Sequence, residues 1–192
     1  MKEIRLTIPD GFDADSQHQV GIFASQLDNQ MDKLLAAVEG LSVAQLEWQM
    51  QPGMNTIGML LAHVAVVNVF WILVAPKGIA PDTEGNEFIK GVIGIRGDED
   101  GLPLEKSGRH PENLSGKSLA DYTGMLESAQ RAIHKELRSW DDTMLEPDFT
   151  LGDRRISRAW VLYHVIEHLA SHLGQILLLK HIMRDTGVIQ AS

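Results

Sequence analysis

The sequence predicts an all-α protein: a four-helix bundle with a long crossover between its second and third helices, organised as one domain over residues 1–192. Three observations carry this reading. Four segments repeat apolar residues at helical spacing, and outside short loop pieces no segment alternates convincingly as a strand would. Residues 76–117 form a stretch rich in Gly, Pro and charge, long enough to cross the full length of a bundle. A hydrophobic share of 44% with 22% charged residues is that of a globular chain, far too apolar for a disordered one.

The first helix is expected from about Ser16 to Glu39, where Val20, Phe23, Leu27, Met31, Leu34 and Val38 make one apolar stripe. Asp15 or Ser16 is placed to cap it, and Gly40 stops it. The second follows Pro52-Gly53 with Asn55 or Thr56 as cap, and ends at Pro76-Lys77-Gly78. The connection after it should be functional or carry small elements of its own, since unstructured loops of that length are uncommon. A third helix runs from Ser118 to Trp140, with Asp121 three residues after the capping serine. The fourth begins at Ser157 and continues to about Arg184.

Composition excludes several functions. The chain has no cysteine and eight histidines, so disulfides, thiolate metal sites, iron–sulfur clusters and cysteine nucleophiles are ruled out. A net charge of -9 without clustered Lys or Arg argues against nucleic-acid binding. Residues 1–19 are polar and acidic and do not read as a signal peptide, so a cytoplasmic setting is expected. Ile57 to Ala75 approaches bilayer-spanning length, but it holds His63 and Asn68 and lacks a basic flank before Lys77. It reads as a buried helix and not as a membrane span. Any metal must be held by histidine and carboxylate.

The fourth helix carries the strongest chemical signal. His164, His168 and His172 recur at i, i+4 and i+8, so their imidazoles share one face, and each adjacent pair is spaced to converge on a divalent ion. Val161, Val165, Gln175, Ile176 and Leu179 turn that face inward, where unsatisfied histidines would be costly. In the second helix, His63 sits among Met59, Val66, Val67 and Phe70 and also faces the core. Alone it would be an ordinary satisfied core histidine; with a fourth-helix pair it supplies a third imidazole from a facing helix. Three neutral nitrogen ligands would leave a position open, the pattern of catalytic zinc.

His164-Val165-Ile166-Glu167-His168 also fits the H-x-x-E-H string of inverted zinc peptidases. That mechanism needs an acidic ligand well downstream, and after His168 the chain has no Glu and only Asp185. Glu167 turns about 100° from His168 on a helix, which suits an ion-pairing or supporting group better than a base. Asn68 and Gln175 read equally as polar pocket lining or as amides satisfied by ordinary hydrogen bonds. Asp98-Glu99-Asp100-Gly101 is an acidic loop that lacks calcium-loop spacing. Asp141-Asp142 and Arg154-Arg155 read as solvated loop charges, and Trp48, Trp71 and Trp160 as packing.

The run from Asn55 to His63, the Glu167-His168 to His172-Leu173-Gly174-Gln175 segment, and the Gly40-Leu41-Ser42 and Leu46-Glu47-Trp48 linker together resemble the DinB-like (YfiT-like) metalloenzyme superfamily. The resemblance covers the helical frame and is weakest over residues 76–117. It implies a four-helix bundle that binds a divalent ion through His63, His168 and His172, with His164 as a supporting or pocket residue. Zinc is the first expectation, with nickel or iron as alternatives. Leu173 stands where the family often has Arg, which removes any anion contact made by that residue. The resemblance further implies a small-molecule substrate, low-molecular-weight thiol-dependent transfer or hydrolysis, and a homodimer. With no cysteine in the chain, a thiolate would have to arrive with a co-substrate. The alternative is a non-catalytic metal- or ligand-binding bundle with a stress-response or interaction role.

Overall fold

The computed structural model describes residues 5–189. In chain order its main elements are α1 (His18–Val38), α2 (Val43–Leu46), α3 (Ile57–Val69), α4 (Thr83–Ile93), α5 (Leu119–Leu137), β1 (Asp148–Leu151), β2 (Arg154–Ser157) and α6 (Arg158–Asp185). The four long helices lie where the apolar period puts them, within a few residues at each end. α3 packs on α5 and α6, and α1 packs on α6 and α5, so each touches two of the others around a shared core. Leu34, Leu60, Leu126, Val165 and Leu169 are fully buried in that core.

The helix starts follow from their side chains. Thr56 Oγ1 accepts the Met59 N–H at 3.1 Å and opens α3. Ser118 and Asp121 form a reciprocal capping box at α5, and Ser157 Oγ accepts the Trp160 N–H at the start of α6. The first helix departs from expectation. Neither Asp15 nor Ser16 caps it; Asp142 does so from a distant loop, its carboxylate accepting the N–H groups of Gln19 and Val20 at 2.9–3.0 Å. Asp142 is therefore not a solvated loop charge, and Asp141 likewise caps a short helical turn over Asp142–Met144. Cap prediction looks only a few residues ahead in sequence, and this cap is 122 positions away from Val20.

Inside the core, Gly58 lets α3 approach its neighbours closely. A Cβ there would lie 2.6 Å from Tyr122 Oη and 3.2 Å from the Leu46 carbonyl oxygen. Beyond Val69 the helix continues through a π-helical turn at Phe70–Val74 and a 3₁₀ turn at Ala75–Lys77. Ile57–Lys77 is long and apolar enough to cross a membrane, yet most of it is covered by protein. It is a core helix, as its internal His63 and Asn68 anticipate.

Two small features depart from a purely helical reading. β1 and β2 pair antiparallel with Phe149 opposite Ile156, turning at Gly152-Asp153, where Gly152 has φ +59°. Strands of four residues carrying Asp148, Arg154 and Arg155 give too weak an alternation to stand out in sequence. The long connection holds α4, whose Asn86, Ile89 and Ile93 are buried. Its second half is clamped onto the loop before α3. The Gly53 N–H donates to the Gly108 carbonyl at 2.8 Å, Gln49 Oε1 accepts the His110 N–H at 3.2 Å, and His110 Nδ1 lies 2.9 Å from Thr56 Oγ1.

Candidate metal centre

Three of the predicted histidines meet. His63 comes from the middle of α3, and His168 and His172 stand one turn apart on α6. Their ligand atoms all lie within 4.8 Å of one another. His168 Nε2 is 3.1 Å from His63 Nε2 and 3.0 Å from His172 Nε2. All three rings are half-buried, so the centre is packed from behind and reachable from one side.

The surroundings decide which nitrogens carry protons. His63 Nδ1 lies 2.8 Å from Asp100 Oδ2, and a carboxylate only accepts, so Nδ1–H donates and Nε2 is left as a lone pair. His172 Nδ1 lies 3.0 Å from Gln175 Oε1, an amide oxygen, with the same consequence. His168 Nδ1 is buried and has no hydrogen-bond partner among the described residues. Neutral His168 can donate from Nε2 to only one of its two neighbours, which leaves the lone pair of the other without a donor. A metal ion among the three nitrogens would take up that lone pair, whereas a second proton on His168 would sit on Nδ1, away from both neighbours. Burial, with the added repulsion of His172, His63 and His164, pushes the His168 pKa down to about 3, so a proton is disfavoured near neutral pH. Burial also lowers His172, though its bond to Gln175 opposes this. The donor set fits a divalent ion: neutral imidazoles, two of them held in the ligating tautomer.

Asp100 is the functional residue that sequence reasoning missed. It is only 3% exposed, whereas Asp98, in the same acidic run, is exposed and pairs with Arg96. Asp100 Oδ1 also accepts the Leu102 N–H at 2.9 Å, which ties the loop to His63. No local pattern marks it; the signal is the fold of the connection over His63.

The other singled-out residues fall outside the centre. His164 stacks on Trp160 at 4.7 Å with ring planes 8° apart, and Trp71 meets it edge-on at 5.3 Å. Its ring centre is 5.8 Å from that of His168, so it stands beside the three-histidine group, its pKa lowered by burial. Trp71 and Trp160 thus do more than fill space, since they fix His164. Glu167 is exposed and points away, reaching His164 only through its charge. Gln175 is exposed yet holds His172. Asn68 is fully buried with neither amide atom bonded among the described residues, so it is not an amide satisfied by ordinary hydrogen bonds. Leu173 packs against the core. Two larger hollows, one of about 540 Å³ between α1 and α5 and one of about 530 Å³ beside the hairpin, share no residue with the three-histidine group.

A family model described as the DinB superfamily matches residues 26–176, a span that contains all three histidines and Asp100. The chain belongs to the DinB superfamily. Among solved structures, it is similar to a DinB-like protein from Bacillus cereus ATCC 10987 at 18% identity. The match covers 86% of this chain and 91% of that one, with a TM-score of 0.51. That likeness concerns the fold alone. No curated protein matches the chain.

Proposed function

We propose that the protein is a metal-dependent enzyme acting on a small molecule, by low-molecular-weight-thiol-dependent transfer or by hydrolysis. The observation that carries it is the convergence of His63, His168 and His172 with two tautomers already set by Asp100 and Gln175. In this reading the three Nε2 atoms hold the ion, zinc in the first place and nickel or iron as alternatives. When bound, it would lower the pKa of a water or thiol into the neutral range. The chain's own part is to position and to exclude. Asp100 and Gln175 hold two rings in place, the core behind His168 keeps that ring neutral, and the absence of cysteine leaves an incoming thiol unopposed. His164, fixed between Trp71 and Trp160, borders the site as a polar neighbour.

The frame proposed for this site is a single-domain four-helix bundle, with residues 76–117 as the crossover, working in the cytoplasm. Pairing into a homodimer is proposed through α6, where Trp160, Tyr163, Ala170, Gly174 and Leu177 are exposed at the spacing of a helix–helix seam.

One observation favours the second reading, a non-catalytic binder: Glu167 faces away and Asp100 is committed to His63, so neither carboxylate is free as a general base. The discriminating assay loads the protein with zinc and offers several low-molecular-weight thiols with electrophiles, and separately activated esters and amides. Turnover well above that of free zinc, lost in His168→Ala, supports the enzyme. Turnover equal to free zinc across the panel favours the binder.

A further inference from the structure

Two hollows flank the histidine centre and meet at Asn55. One, of about 440 Å³, is lined by Asn55, His63, Leu102, Pro103 and Leu104. The other, of about 270 Å³, also includes Asn55 and runs over Met54, Leu60, Leu178 and Leu179 to Gln175, the residue that holds His172. The first thus includes one histidine of the centre, and the second includes the residue that holds another. Volumes of this order suit a small organic ligand.

Their chemistry is uniform. Apart from His63, no lining residue is ionisable, and neither hollow presents a Lys or Arg. Leu178 lies 59% exposed on the second wall, an apolar surface left for something to cover. Asn55 is half-buried at the junction, and its amide makes no hydrogen bond among the described residues. An amide so placed can both donate and accept. Behind the centre lies the Asp100 carboxylate, which offsets part of the charge of a divalent ion held by three neutral imidazoles and so weakens its pull on an anion.

The first wall is built by the long connection, and its position is fixed. Asp100 Oδ1 holds Leu102 while Oδ2 holds His63, and the Gly53–Gly108 and Gln49–His110 bonds fasten the following residues. One carboxylate therefore sets both the ring and the wall beside it.

We propose that the two hollows form one cleft for an uncharged, elongated, mainly apolar substrate that sets a neutral polar group, such as an amide or ester, against Asn55. Multiply anionic substrates are disfavoured there, because no cation lines the walls to pair with them. This rests on the metal-centred reading above and names the substrate class for that site.

The test titrates zinc-loaded, full-length protein calorimetrically with hexanamide, octanamide and octanesulfonate; sulfonates are poor metal ligands, so the last reports on the walls. Octanamide should bind more tightly than hexanamide by about two- to fourfold per added methylene. Octanesulfonate should bind at least about tenfold more weakly than octanamide, a difference worth ~1.4 kcal/mol. Leu104→Lys, a change at a partly exposed wall position, should narrow or reverse that preference with zinc stoichiometry unchanged. The proposal is overturned by octanesulfonate binding as well as octanamide, by affinity independent of chain length, or by no saturable amide binding. Failure of the underlying metal reading shows separately, as wild-type protein that takes up no zinc.

Discussion

Two histidine–carboxylate pairs join distant parts of this chain, and they do different work. His134 on α5 lies 2.7 Å from Asp28 on α1, and His63 on α3 lies 2.8 Å from Asp100 in the connection between α4 and α5. In the first pair the bonded nitrogen is Nε2, and Gln130 Nε2 donates to the same Asp28 oxygen at 2.7 Å. The contact ends there, as a clamp between two helices. In the second the bonded nitrogen is Nδ1, which turns Nε2 towards two more imidazoles. The same pair of residue types is structural when its ring points at one partner, and can supply a ligand when the opposite nitrogen is aimed at others.

Removing one histidine from each region gives the largest contrast. His168→Ala should reduce zinc affinity by at least about a hundredfold, since it deletes one of three ligands. His134→Ala should leave zinc uptake intact and lower stability by about 1–3 kcal/mol, because Asp28 loses a partner in a partly buried setting. Calorimetric zinc titration and urea unfolding of both variants read the two effects.

The carboxylates give the next contrast. Asp100→Asn should weaken zinc binding by about ten- to a hundredfold, because an amide no longer holds His63 as firmly in the ligating tautomer. Asp28→Asn should leave zinc affinity within about twofold of wild type, the ligands being untouched. Equal losses in the two variants would erase the distinction drawn between the pairs.

A smaller effect appears with pH in the metal-free protein. The His168 pKa falls from 6.5 to about 3 on folding, so between those values the unfolded chain binds more protons than the folded one. Stability attributable to this ring is therefore full above 6.5 and declines as pH falls through 6.5 towards 3, by at most about 1.4 kcal/mol per unit for one proton. His172 and His164, also lowered, add in the same direction. His168→Gln should flatten the decline seen in urea midpoints measured across this window, and an unchanged slope would count against the buried neutral ring. Smallest of all, Asp142→Ala should cost about 1 kcal/mol through the lost α1 cap, with zinc affinity unaffected.

The sequence showed what is periodic and hid what is distant. Helical spacing exposed α1, α3, α5 and α6 and the shared face of His164, His168 and His172, because a helix places residues four apart together. Choosing His168 and His172 over His164 came from likeness to a family, and the geometry brings those two together with His63. His164, on the same stripe, is diverted to Trp160 and Trp71. The roles of Asp100 and Asp142 were not legible, since each acts on residues far away in the chain and no local pattern marks either. The hairpin escaped because its strands are short and charged.

The central claim is that three imidazoles form one metal-ligating centre. Metal analysis of the full-length protein purified without a histidine tag, followed by zinc titration near neutral pH, tests it most directly. The account predicts one zinc bound per chain in the wild type and none retained by His168→Ala, with His134→Ala unchanged. Wild-type protein that binds no zinc, or a His168→Ala variant that binds it equally well, would contradict it.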